Sequence, residues 1–131
     1  MVELVIASDL AAARAAEEQI LQEVERHGYR ADAAFAIRLS LEEAITNAVK
    51  HGNRYDRSKH IRLKYRVDDE AAVIYVRDEG CGFDPRCVPD PTEPSRLSLP
   101  NGRGLMLMQA YMDEVTFNAC GNEVRLVKRK S

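Results

Sequence analysis

The chain has 131 residues, 45% apolar and 31% charged, enough for one sizeable core and unlike a disordered tail, a collagen-like rod or a disulfide scaffold. Its 19 Lys and Arg stand against 21 Asp and Glu for a formal net charge of −2, so the cationic footprint of a nucleic-acid binder is missing and no direct nucleic-acid partner is expected. An odd count of three cysteines (Cys81, Cys87, Cys120), a start without a basic leader, and no run near the roughly 20 apolar residues that cross a bilayer predict a cytoplasmic protein without membrane association.

Val2 to Ala7 is a short apolar run suited to a strand. Ser8 and Asp9 are both good N-caps for an Ala- and Glu-rich helix that runs to about His27, with Leu10, Ala13, Ile20, Leu21 and Val24 as its apolar stripe and Gly28 closing it. Asp32 can cap a second helix, whose stripe is Ile37, Leu41, Ala44, Ile45 and Ala48 and whose end is Gly52. Ile61, Leu63, Tyr65 and Val67 alternate with charged residues, the period of a strand, and Ala72 to Val76 follows the turn Asp68-Asp69-Glu70 as its hairpin partner. All five prolines fall between Pro85 and Pro100, so residues 83–101 carry no element of their own. Structureless loops beyond roughly 12–15 residues are uncommon inside domains and are usually functional lids or disordered inserts; the glycines on both sides, Gly80 and Gly82 before and Gly102 and Gly104 after, favour a lid. A helix opens at Gly102-Arg103-Gly104-Leu105-Met106-Leu107-Met108 and reaches Tyr111, and a last hairpin pairs Val115–Asn118 with Val124–Val127 around Gly121-Asn122.

Three groups of residues carry chemistry. Glu43 and Asn47 lie one turn apart on one helix face, at the edge of the apolar stripe. A carboxylate there can take a proton from a hydroxyl, and an Asn oxygen is a hard neutral ligand suited to Mg²⁺. Asp78-Glu79-Gly80-Cys81-Gly82-Phe83 leaves the end of a strand, with an acceptor-only carboxylate and two glycines that let a ligand approach the main chain. Gly102 and Gly104 precede helical N–H groups that favour phosphate, with Leu105 and the methionines as core. There is no G-x-x-x-x-G-K-[ST] run, and Cys81, Cys87, His51 and His60 lack zinc-ligand spacing.

In order and spacing these residues resemble the N box (Glu43 to Gly52), G1 box (Asp78 to Phe83) and G2 box (Gly102 to Leu105) of the GHKL, or Bergerat-fold, ATPase superfamily, and most closely its bacterial anti-sigma-factor serine/threonine kinases. The resemblance implies an α+β, two-layer sandwich over residues 1–131: a mixed, mostly antiparallel sheet, helices on one face, and an ATP lid at about 83–101. It implies ATP and Mg²⁺ as cofactors, with Asn47 as metal ligand, Asp78 on the adenine amino group, Gly80 and Gly82 shaping the base pocket, and Gly102, Gly104 and Leu105 against the phosphates. Glu43 is then the general base toward a protein serine or threonine. His51 also matches the family pattern; it is treated as a structural hydrogen-bonder. The implied partners are an anti-anti-sigma (antagonist) protein as substrate, a sigma factor, and a second copy of the chain in a homodimer. The alternative is a nucleotide-gated binding module that sequesters a partner without transferring phosphate, which has no use for Glu43.

Overall fold

The computed structural model describes residues 1–80, 102–119 and 121–130. Five strands, β1 (Val2–Ala7), β2 (His60–Val67), β3 (Ala71–Arg77), β4 (Glu114–Phe117) and β5 (Glu123–Arg129), form one sheet in the order β1-β2-β3-β5-β4. Helices α1 (Leu10–Arg26), α2 (Ala31–Asn47) and α3 (Gly102–Tyr111) supply the second layer. The α+β sandwich expected from the resemblance is present. The lid at 83–101, Gly82 and all three cysteines lie outside the described residues.

The expected sheet was mixed but mostly antiparallel, and every strand pair among the described residues is antiparallel. The connections explain this. Two helices between β1 and β2 return the chain to the end of the sheet it left, so β2 runs back along β1, with Ala7 opposite His60. The one helix described between β3 and β4 sends those two strands the same way, but β5 inserts between them and opposes both. One end of the sheet therefore collects the exits of β1 and β3, the starts of β2 and β5, the C-terminal end of α2 and the entry to α3. Both chain termini leave from the opposite end, where Lys130 N–H donates to the Glu70 carbonyl at 2.9 Å.

Strand alternation buries Ile61, Leu63 and Tyr65 of β2, Ala72, Ile74 and Val76 of β3, and Val124 and Leu126 of β5 under the helices. Helix stripes meet them: Ala13, Ile20, Leu21 and Val24 from α1, and Ile37, Leu41, Ala44, Ile45 and Ala48 from α2 and its extension. Asp9 caps α1, its Oδ1 accepting from Ala12 N–H at 2.7 Å, and Gly28 follows the helix at φ +73°. Asp32 does not cap α2. The helix starts one residue earlier, and Asp32 accepts from Ala33 N–H inside the first turn, where a carboxylate suits the helix dipole. Leu10 and Met106 are exposed rather than core. Leu10 precedes the stripe that begins at Ala13, and Met106 turns away from the face set by Leu105, Met108 and Met112.

Asn53 joins the layers at the collecting end. After Asn47 the helix widens into a π-helical turn, Ala48–Gly52, and Asn53 N–H donates to the Ala48 carbonyl at 2.8 Å. The fully buried Asn53 amide then donates to Ser8 Oγ (3.0 Å) and the His60 carbonyl (3.1 Å), and its oxygen accepts from Glu79 N–H (2.8 Å). One side chain thus ties the end of β1, the start of β2 and the exit of β3 to the end of α2. Arg54 and Tyr55 follow in left-handed backbone conformation, φ 51° and 60°, to turn the chain sharply back.

Among the described residues, Glu17 of α1 is the one buried charged side chain. Burial, with the Glu42 carboxylate beside it on α2, pushes its carboxyl up to about 7, against a smaller opposing pull from Arg38. An acid with a raised folded-state pKa destabilises the native state as pH rises from its ordinary value near 4.5 to about 7, because the unfolded chain ionises first. Glu17→Gln is therefore expected to raise stability above pH 7 by on the order of 1–2 kcal/mol, after allowance for solvent screening, and to change little at pH 4. Urea unfolding at both pH values checks this; an equal effect at the two would contradict it.

Candidate functional site

The collecting end of the sheet opens into a cleft holding about 480 Å³ of atom-free space, part of it open to solvent. Ala44, Ala48, Val76, Met108, Phe117 and Val124 make its apolar walls, and Asn47, His51, Asp78, Asn122 and Glu123 supply the polar groups. Apolar walls with a few converging polar groups suit a flat small molecule.

Asp78 stands at its inner edge, immediately after β3. Burial pushes the carboxyl up to about 6, while the Gly80 N–H, Lys59 and Arg77 favour the ion, so it remains ionised at neutral pH. Oδ1 accepts from Gly80 N–H at 2.7 Å, and Oδ2 receives no hydrogen bond from the described residues. Among the described residues, the carboxylate is thus held by one oxygen alone. Its position depends on two glycines. A Cβ on Gly52 would overlap the Asp78 carboxyl, and one on Gly80 would overlap the Gly52 carbonyl. Two backbone segments, at Gly52 and at Asp78 to Gly80, meet here at a spacing that admits no further side chain.

Asn47, expected at the border of the cleft, is buried at 6% exposure and lines it. Its Nδ2 has no hydrogen-bond partner, an uncommon state for a buried amide and one that a ligand in the cleft would relieve. Turning the amide over presents the oxygen instead. No group of three His, Cys, Asp or Glu side chains among the described residues could cage a metal. The donor set therefore fits a cation that takes one protein oxygen and fills its shell with water and phosphate, which is the habit of Mg²⁺. Glu43, one turn before, is half-buried and outside the cleft lining.

Gly102 and Gly104 fall in the first turn of α3, which starts at the cleft end and sends Met108 into the cleft wall; Leu105 is half-buried against the core. Of the expected site residues, Asn47, Asp78 and Gly80 are thus brought together. His51, expected as a structural hydrogen-bonder, lines the cleft and is exposed.

Sequence reasoning placed the β4–β5 turn but missed its position on the cleft. Asn118 Oδ1 accepts from Asn122 N–H (3.0 Å) and Glu123 N–H (3.3 Å), and the Asn122 carbonyl accepts from Asp78 N–H (2.9 Å). The turn so fixed puts Gly121, Asn122 and Glu123 on the cleft. Gly121 at φ +77° and the Asn pair were the available signal, legible as a turn but not as a wall. Among the described residues, no helix is long and apolar enough to cross a membrane.

Comparison with known proteins agrees with this architecture. A model of the histidine kinase-like ATPase domain matches residues 6–128. The chain is similar to the serine-protein kinase RsbW of Bacillus subtilis (strain 168), 33% identical over 111 residues that cover 79% of this chain and 69% of the relative. It is 28% identical to the anti-sigma F factor of Bacillus velezensis over 72% of this chain and 68% of that protein. RsbW of Oceanobacillus iheyensis is 29% identical, over 71% of this chain and 63% of that protein. Among solved structures, the RsbU and RsbW domains of a Mycobacterium tuberculosis protein share the fold, with a TM-score of 0.63 at 17% identity, over 98% of this chain and 32% of that one. By its motifs, its fold and this match over nearly its whole length, the chain belongs to the histidine kinase-like ATPase domain family.

Proposed function

We propose that this domain is an ATP-dependent protein serine/threonine kinase acting as a cytoplasmic anti-sigma factor, which phosphorylates a small anti-anti-sigma protein and exchanges it for a sigma factor with nucleotide state. The observation that carries the reading is the half-buried Asp78 carboxylate at the edge of an apolar slot, with one oxygen held by Gly80 N–H and no hydrogen bond to the other from the described residues. An acceptor-only group there suits the exocyclic amino group of adenine, and the apolar walls suit its ring. The names of the relatives, serine-protein kinase and anti-sigma F factor, support the partner classes.

Within this reading Asn47 holds Mg²⁺ through its amide oxygen. When bound, that ion neutralises charge on the phosphates. The N–H groups of the first α3 turn, at Gly102, Gly104 and Leu105, are the phosphate-binding groups of this reading. Glu43 takes the proton of the substrate hydroxyl as its oxygen bonds to the γ-phosphorus and the bond to the β–γ bridging oxygen breaks, leaving ADP. Positioning and charge neutralisation do most of the work in such a transfer.

Titration with ATP, with and without Mg²⁺, tests the site: Mg²⁺-dependent binding that Asn47→Ala loses is expected. Glu43→Ala should keep that binding and abolish transfer from labelled ATP to an anti-anti-sigma protein. Normal transfer by that variant would move the base elsewhere, and no transfer by the unaltered protein would leave the gated binding module. Affinity for ATP is expected to fall as pH drops through about 6, where Asp78 takes up its proton. Asp78→Asn should bind weakly at every pH, by about 1–3 kcal/mol, and lose that pH dependence. Gly52→Ala is expected to leave the helical circular-dichroism signal intact while ATP binding fails, because the added Cβ displaces the Asp78 carboxyl.

A further inference from the structure

The sheet face away from the helices carries charge that the core does not use, and most of it lies off the cleft. Alternation places Arg62, Lys64 and Arg66 of β2, Arg77 of β3, and Arg125 and Arg129 of β5 on that face. Only three carboxylates of the strands, Glu3, Glu114 and Glu123, share it. Six of the chain's 19 cations thus sit with three of its 21 acids, on a protein whose overall charge is −2. The patch is a local reversal of sign.

Its centre is electrostatically unfavourable as it stands. Arg62 and Arg77 are direct cross-strand partners, and like charges placed opposite one another destabilise a sheet. Lys64 follows on the next rung, between Glu3 and Tyr75. Arg62, Arg66 and Arg125 each reach an exposed acid, at 3.6, 3.5 and 3.2 Å from Glu3, Asp68 and Glu114. Lys64 and Arg77 form no ion pair with the described residues, although Glu123 lies across from Arg77 in register. Arg62, Lys64 and Arg77 border one depression on this face, together with the carboxylates of Glu3, Asp78 and Glu79 along its rim. Lys64 and Arg77 are thus held beside Arg62 with no ion pair of their own among the described residues, an arrangement that an external anion relieves.

We propose that this open sheet face docks an acidic segment of a protein partner, its carboxylates received by Lys64 and Arg77 on either side of Arg62. Charge complementarity selects the occupant. Same-face positions of a strand repeat at about 7 Å, so Arg62, Lys64 and Arg66 match carboxylates at alternate positions of an extended acidic segment. A continuous phosphate track suits the face less well, because Glu3, Glu114 and Glu123 interrupt the cations. The surface is independent of the kinase reading: it requires no nucleotide and no transfer.

The test uses the whole isotope-labelled chain titrated with an alternating Glu-Thr peptide. Amide shifts centred on residues 62–66 and 73–77 are expected, with affinity falling about tenfold in Lys64→Glu/Arg66→Glu and by less in Lys64→Gln/Arg66→Gln, which keeps length without reversing charge. Both variants should retain the dispersed spectrum of the folded protein. Shifts confined to the helical face, absence of binding, or equal affinity in the reversed variant would overturn the proposal. Tighter binding of oligothymidylate or of phosphatidylglycerol vesicles than of the peptide would overturn the choice of partner.

Discussion

The geometry of this domain hangs on one buried amide. Asn53 spends two donors and one acceptor on three different strand ends, and a group so placed is stabilising only when all its bonds are made. Its neighbours in sequence are what matter. Gly52, just before it, is pressed against the carboxyl of Asp78, the residue just before its partner Glu79. The π-helical turn delivers Asn53 to that point, since its N–H reaches five residues back to Ala48. Helix exit and strand exit are therefore in register at the cleft, and the carboxylate is set by main chain rather than by side-chain packing.

Two acids in the structure have raised pKa values for the same first reason, burial, and diverge in the second. Asp78 has a backbone N–H and two cations that favour its ion, so it stays charged near neutrality and serves as an acceptor. Glu17 has a second carboxylate for a neighbour and only a partial counterweight in Arg38, so it sits half-protonated at about pH 7. Desolvation alone does not decide what a buried acid does; its nearest charges do.

The strands were legible because one face of each is covered: Ile61, Leu63 and Tyr65 point inward at every second place, as their period requires. Asn47 and Asp78 were legible as chemical types at characteristic spacings. What could not be read is long-range. Asn53 is 45 residues from Ser8 and 26 from Glu79, and nothing local marks an Asn as a junction. The cleft wall at Asn122 and Glu123 depends on a hydrogen bond from Asp78 N–H, again between distant segments. Strand order is long-range in the same way, because β5 separates β3 from β4 and a connection by itself does not say which strands touch.

Both termini emerge beside the Asp68–Glu70 turn, at the end of the sheet farthest from the cleft. That placement makes the fold a plug-in module. A second domain fused before Val2 or after Lys130 hangs from the blunt end of the sandwich and leaves the mouth of the cleft unobstructed. The same architecture can therefore travel between free-standing and multidomain proteins without redesign of its working end.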